Sequence, residues 1–228
     1  MHHFLIRLVK PVVCVGLALI LWDAQMSISR ASPLAPGGSI AAPAEVNLVG
    51  ASLLASISNH FSSASLSGSL ISSVSTGDTT NPYGATGLTF VYLIFLDALS
   101  PDAVSAISIG SFRGFQTDVS YQIPTVGMAP FTISRNPAVS PTGSQAVNFN
   151  FTIMGGTSNY LMPGNNSAYL VIQTDATAWH FDTASVIDSV GTAVTTISPV
   201  PEPTSLTFFL LGLGALVCSW RLRPDKRI

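Results

Sequence analysis

The chain has 228 residues, of which 47% are hydrophobic and 9% charged, with a formal net charge of −2; ordinary globular chains carry roughly 25% charged residues. Between residues 35 and 200 the acids Glu45, Asp78, Asp97, Asp102, Asp118, Asp175, Asp182 and Asp188 stand against Arg113 and Arg135 alone, with no Lys, which argues against nucleic-acid binding because displacing counterions needs clustered cations. Cys14 and Cys218 both lie in apolar terminal runs, so the segment between them offers neither a disulfide framework nor a thiolate zinc site.

The chain opens with Arg7 and Lys10, followed by an apolar stretch over residues 11–22. A charged head and a short apolar run read as a signal peptide over residues 1–31, and so as export. Small residues at Ser29 and Ala31 place the cut after Ala31. An uncleaved N-terminal anchor helix is the alternative. Residues 32–45, rich in Pro, Gly and Ala, read as a flexible leader.

From residue 46 to 198 the pattern is β. Residues 49–58 and 63–75 are the first strand candidates. Residues 87–96, GLTFVYLIFL, are apolar on both faces and predict a central strand covered on both sides. A possible short helix follows, with Ser100 as N-cap and Pro101 at the first position. Residues 104–112 and 117–123 are further strands. The clearest strand is AVNFNFTIMG, where Val147, Phe149, Phe151 and Ile153 alternate with Asn148, Asn150 and Thr152, a period of two that sorts apolar from polar faces. Residues 167–175, 185–190 and 192–197 complete the set. Turn chemistry at Asn81-Pro82, Asn136-Pro137 and Pro163-Gly164 separates them. Short strands spaced by turns predict an all-β, antiparallel sandwich or barrel-like domain.

Motifs for chemistry are sparse here. No nucleophile elbow, P-loop or dinucleotide fingerprint occurs. His60 and His180 are the histidines of the middle, and no marked Ser accompanies either of them as a triad would require. In an extended Trp179-His180-Phe181-Asp182 stretch, His180 and Asp182 share a face near Asp175, a pair that could touch a divalent metal; a solvated strand edge explains it as well. Asp97 and Asp102 flank a turn without a calcium-loop pattern. Trp179, Tyr83, Tyr121, Tyr160 and Tyr169 could build a sugar-stacking surface, or simply core and cross-strand pairs. Asn150-Phe-Thr152 and Asn165-Asn-Ser167 match the N-glycosylation acceptor. The expectation is a non-enzyme with no cofactor and no metal.

The tail, residues 199–228, is of another kind. Pro201, Glu202 and Pro203 precede an apolar run over 204–220, about 25 Å long as a helix at ~1.5 Å per residue and thus at the short limit for a transmembrane span. Arg221, Arg223, Lys226 and Arg227 follow and form a basic stop that keeps the C-terminus cytoplasmic.

The order Pro201-Glu202-Pro203, apolar run with Gly212 and Gly214, then Arg cluster closely resembles the PEP-CTERM sorting domain of Gram-negative bacteria. The resemblance covers residues 199–228. Cys218 and Trp220 within the run, and Pro224-Asp225 between the cations, are mild departures. It implies a precursor that meets the export machinery, is held briefly at the inner membrane by its tail, and is processed near Pro201-Glu202-Pro203 by an exosortase, a membrane enzyme. It further implies a final place at the cell surface or matrix and an association with exopolysaccharide and biofilm. The middle also resembles a recurring type of passenger in that group. The resulting expectation is an exported, non-catalytic surface protein. A carbohydrate-binding or adhesive module, an extracellular hydrolase and a permanently anchored protein are the rivals.

Overall fold

Period-two apolar patterning builds two sheets that pack face to face. A computed structural model describes residues 30–46, 48–123, 127–138, 145–152 and 160–200. The strands in chain order are β1 Ser32–Pro33, β2 Ser39–Ala41, β3 Ala44–Val46, β4 Ser52–Ser62, β5 Ser67–Thr76, β6 Thr89–Leu96, β7 Ala106–Ile109, β8 Thr117–Ile123, β9 Thr132–Arg135, β10 Val147–Asn150, β11 Leu170–Thr174, β12 Trp179–Ile187 and β13 Gly191–Pro199. The described residues contain no helix.

The first sheet runs β1-β8-β11-β6-β5-β4, with β3 also on β8; the second runs β13-β12-β7-β10-β9-β2. All pairings between these strands are antiparallel except β3 with β8. Alternation decides what each sheet buries. Phe90, Tyr92 and Ile94 of β6, Leu70 and Val74 of β5, and Leu170 and Ile172 of β11 point inward. Ile107, Ile109, Ile133, Val147, Phe149 and Val186 meet them from the second sheet. All of these are fully buried, and each such side chain stabilises the fold by about 1.5–3 kcal/mol relative to exposure. Phe112, in the loop after β7, closes one end by standing edge-on to Phe90, with centroids 6.0 Å apart.

The two open sides of the sandwich are closed differently. On one side the edge strands β4 and β13 meet, and Asn59 Nδ2 donates to Thr195 O at 3.0 Å. On the other side residues 32–46 stitch the sheets together: β1 and β3 join β8 in the first sheet, while β2 joins β9 in the second. The flexible leader read from residues 32–45 is therefore corrected. Leu34 is in the core, and Thr117 Oγ1 and Arg135 Nη1 donate to its carbonyl at 2.9 and 3.2 Å. Pro and Gly permit the bends between these short strands, while tertiary partners supply the order that local composition lacks.

Three further expectations change. The possible helix at Ser100 is absent: Ser100 Oγ instead accepts from Ser67 N at 3.2 Å and donates to Asp102 O at 3.0 Å, pinning a turn. β6 is central, but its outer face is only partly covered, with Val91 and Leu93 half-buried and Phe95 50% exposed. The two short strands read at residues 185–190 and 192–197 belong to a longer hairpin, taking in Trp179 to Pro199 with an unbroken register.

Candidate functional site

Two places concentrate features that the core alone does not require. The first is the exit of the chain from β13. Thr196 to Pro199 are all buried, Tyr92 Oη donates to Ile197 O at 2.8 Å, and Val200 N donates to Ala178 O at 3.0 Å. Ordered backbone thus runs up to the residue before Pro201. Trp179 pairs with Pro199 across the ladder, and Trp179 stands edge-on to Phe181 with centroids 5.6 Å apart. Phe181 is 58% exposed, so the sandwich presents an aromatic pair where the tail departs.

The second is a polar cluster on the outer face of the first sheet, under the connection between β5 and β6. Gly77 turns the chain there with φ +75°, a left-handed value that favours glycine. At the far end of the connection, Gly87 packs so tightly that a Cβ would lie 2.4 Å from Thr174 O. These two glycines let residues 77–87 fold down onto the sheet. Beneath them lie Glu45, Asp78 and Gln173, all buried. Asp78 accepts from Thr80 N and Thr80 Oγ1 at 3.0 and 2.7 Å and from Thr89 Oγ1 at 2.9 Å. Ser120 Oγ donates to Glu45 Oε2 at 2.6 Å. Burial pushes the Glu45 carboxyl above its ordinary value, against the pull of that hydrogen bond. Alongside, Tyr83 Oη donates to Asp118 Oδ1 at 2.5 Å; burial, then this bond, raises the Tyr83 hydroxyl, and burial raises the Asp118 carboxyl. A cavity of about 370 Å³ opens above the cluster, and Glu45, Thr80, Asp118 and Gln173 line it, with Arg30 and Ala31 at its side.

The residues read from sequence as possible catalysts are not gathered together. Asp182 accepts from Ser111 Oγ at 2.6 Å, Asp175 accepts from Gln116 N at 2.9 Å, and His180 Nε2 is buried without a partner. His60 Nε2 does meet Asp97 Oδ2 at 3.3 Å, and Ser67 Oγ also bonds that oxygen. Here the carboxylate stands between Ser and His, whereas general-base activation needs the His between. The Ser67 bond, then His60, holds the Asp97 carboxyl below its ordinary value. Asp102 Oδ1 caps Ala103 N at 2.8 Å, apart from Asp97. Among the described residues no three His, Cys, Asp or Glu side chains gather as metal ligands. The aromatic residues are dispersed, with Trp179 in the second sheet and Tyr83 and Tyr121 on the first. Asn150 Nδ2 points at Thr132 Oγ1, 3.3 Å away on the neighbouring strand.

Ala31 is half-buried beside the cavity. The signal segment before residue 30, the triplet Pro201-Glu202-Pro203, the span 204–220 and the basic stop lie outside the described residues. Among the described residues no helix is long and apolar enough to cross a membrane.

Residues 199–224 match the family model of the PEP-CTERM protein-sorting motif. The chain carries a PEP-CTERM sorting motif. Its match begins at Pro199, the last residue of β13, so folded domain and motif share a residue with no spacer between them. The PEP-CTERM motif implies an exported protein, sorted toward the cell surface and processed by an exosortase-type membrane enzyme. No curated protein and no solved structure matches the chain.

Proposed function

We propose that the chain is a non-catalytic surface or matrix protein, in which the sandwich is the passenger and the tail its address. The observation that carries this reading is the sorting-motif match at residues 199–224. In this reading Pro201-Glu202-Pro203 is substrate for the processing enzyme. Two prolines keep that segment extended, and the apolar run behind it holds the precursor at the membrane until the tail is removed. The passenger then remains with exopolysaccharide at the cell surface. A sparsely charged Ser- and Thr-rich exterior, and a Ser111 Oγ that bonds Asp182 directly with no His between them, support a passenger without turnover.

The test is mass spectrometry of the mature protein from a host bearing an exosortase, with cell fractionation. The expected C-terminal peptide ends near Pro201–Pro203 and the protein leaves the inner membrane. Recovery of peptides spanning Leu206 to Trp220 from the mature form would instead establish a permanent anchor.

The exposed Phe181 beside Trp179 favours a second reading, an adhesive or carbohydrate-binding passenger. Binding on a glycan array that Trp179→Ala abolishes would support it.

A further inference from the structure

We propose that Glu45, Asp78, Thr80 and Gln173 form a binding site for a hard divalent cation of the calcium class. Three oxygens from two separate segments converge on one atom of a third, Gln173 Nε2: Thr80 Oγ1 at 2.9 Å, Asp78 Oδ2 at 3.0 Å and Glu45 Oε1 at 3.4 Å. An amide nitrogen carries two hydrogens, so it serves two of these three acceptors. The partner atom, Gln173 Oε1, is buried with nothing to bond, in a residue with no exposed surface. A half-turn of the amide brings Oε1 to the side of the three acceptors when a cation is present, with Nε2 taking its former place. Four oxygens then surround one point, two of them from carboxylates.

The charge balance points the same way. Glu45 and Asp78 are 2% and 0% exposed, and among the described residues the ion pair within reach of a carboxylate is His60 with Asp97, elsewhere on the sheet. Two buried carboxylates hydrogen-bonded only by neutral donors are costly unless a cation or a proton joins them. All the ligands are oxygens, as calcium prefers at 2.3–2.6 Å, and the absence of His and Cys from the set disfavours zinc or copper. Calcium takes about six to eight oxygens; the remainder are waters in the adjoining cavity, which Glu45, Thr80 and Gln173 line. Two carboxylates, held in place by Ser120 and Thr89, suit the weak affinity of extracellular modules, with Kd of about 0.1–1 mM. Arg30 and Ala31 flank the same cavity, so signal removal after Ala31 would widen access to it after export.

The test uses the exported protein, stripped with EDTA at pH 7.5 and titrated with calcium chloride at constant ionic strength, with isothermal calorimetry and thermal melting as readouts. Saturable binding at about one calcium per chain is expected, with half-saturation near 0.1–1 mM and a matching rise in Tm. Glu45→Gln keeps the side chain's shape and removes one charge, with Ser120 Oγ turned to accept from the new amide, and should weaken binding at least tenfold. Gln173→Glu adds a third carboxylate; it should be less stable than the parent in EDTA, bind calcium about tenfold more tightly, and regain its stability when calcium is added. Failure of wild type to bind at 10 mM calcium (about tenfold above the upper Kd) would leave a proton on Glu45 as the sole occupant and overturn the proposal. Binding unchanged in Glu45→Gln would place calcium elsewhere and overturn it too. If Glu45→Gln does not fold, the Gln173→Glu response decides: no rescue by calcium rejects the site.

Discussion

Trp179 lies directly across the β12–β13 ladder from Pro199, the residue at which the sorting motif begins. The end of the folded domain and the start of the address segment are one backbone, so processing has to stop short of β13. Chains ending at Val200 should fold, while chains ending at Val194 should not, because they lose Ile197, which is fully buried and accepts from Tyr92 Oη. Ile197→Ala in the intact chain should cost about 2–5 kcal/mol, read from the midpoint of urea denaturation.

Arg135 holds the leader to the sandwich. Its guanidinium donates to Leu34 O, Phe112 O, Phe115 O, Thr117 Oγ1 and Gln145 Oε1, and burial lowers its pKa from the ordinary value. Arg135→Met leaves several buried carbonyls without donors, at about 1–3 kcal/mol each when unsatisfied. The expected loss is at least 3 kcal/mol, and Arg135→Lys should recover little of it, because a point charge lacks the planar fork. Limited proteolysis should then cut first within residues 32–46. Unchanged proteolysis would show that the strand pairings alone hold this segment.

The acidic cluster predicts an inverted pH profile. Burial raises Glu45 and Asp118 above their ordinary values of 4.5 and 3.8. Between the ordinary and the raised value the folded state holds more protons than the unfolded, so in metal-free buffer stability falls as pH rises through that window and then levels off. Asp78 and Gln173 stand beside Glu45 and Tyr83 beside Asp118, while Arg30, before signal removal, lines the same cavity as both carboxyls. Glu45→Gln should flatten the fall above pH 4.5. Melting curves across pH 4 to 8 check this; the same slope in the variant would assign the effect to Asp118.

His180 and His60 give a negative prediction. His180→Ala and His60→Ala should leave any ester or glycoside turnover of a purified sample unchanged, since neither imidazole stands between a Ser and a carboxylate. Turnover lost on His180→Ala would revive the hydrolase reading.

β8 was legible residue for residue at 117–123, and the heart of β10 at Val147–Asn150 followed from strict alternation. Strands of two or three residues such as β1, β2 and β3 carry no period to detect, and β9 is a four-residue piece between turns; each exists because a neighbouring strand supplies its hydrogen bonds. The cluster was hidden for another reason. Glu45, Asp78 and Gln173 are spread along the chain, Glu45 in apparent linker and Asp78 in an apparent break, so spacing held no clue. Its one local trace was Gln173, a polar residue directly after the apolar run Leu170-Val171-Ile172 in the same strand.

β13 leaves the fold by its own C-terminal end and lies antiparallel to β12 along nine residues. A pull transmitted through a tethered tail is therefore directed along the strand. Such a force shears the rungs of the β12–β13 ladder together, where a perpendicular pull would unzip them one after another. Under the proposed processing, a domain held by its tail would meet hydrodynamic drag in its mechanically stronger direction, and cutting the tail would release that tension without disturbing the sandwich.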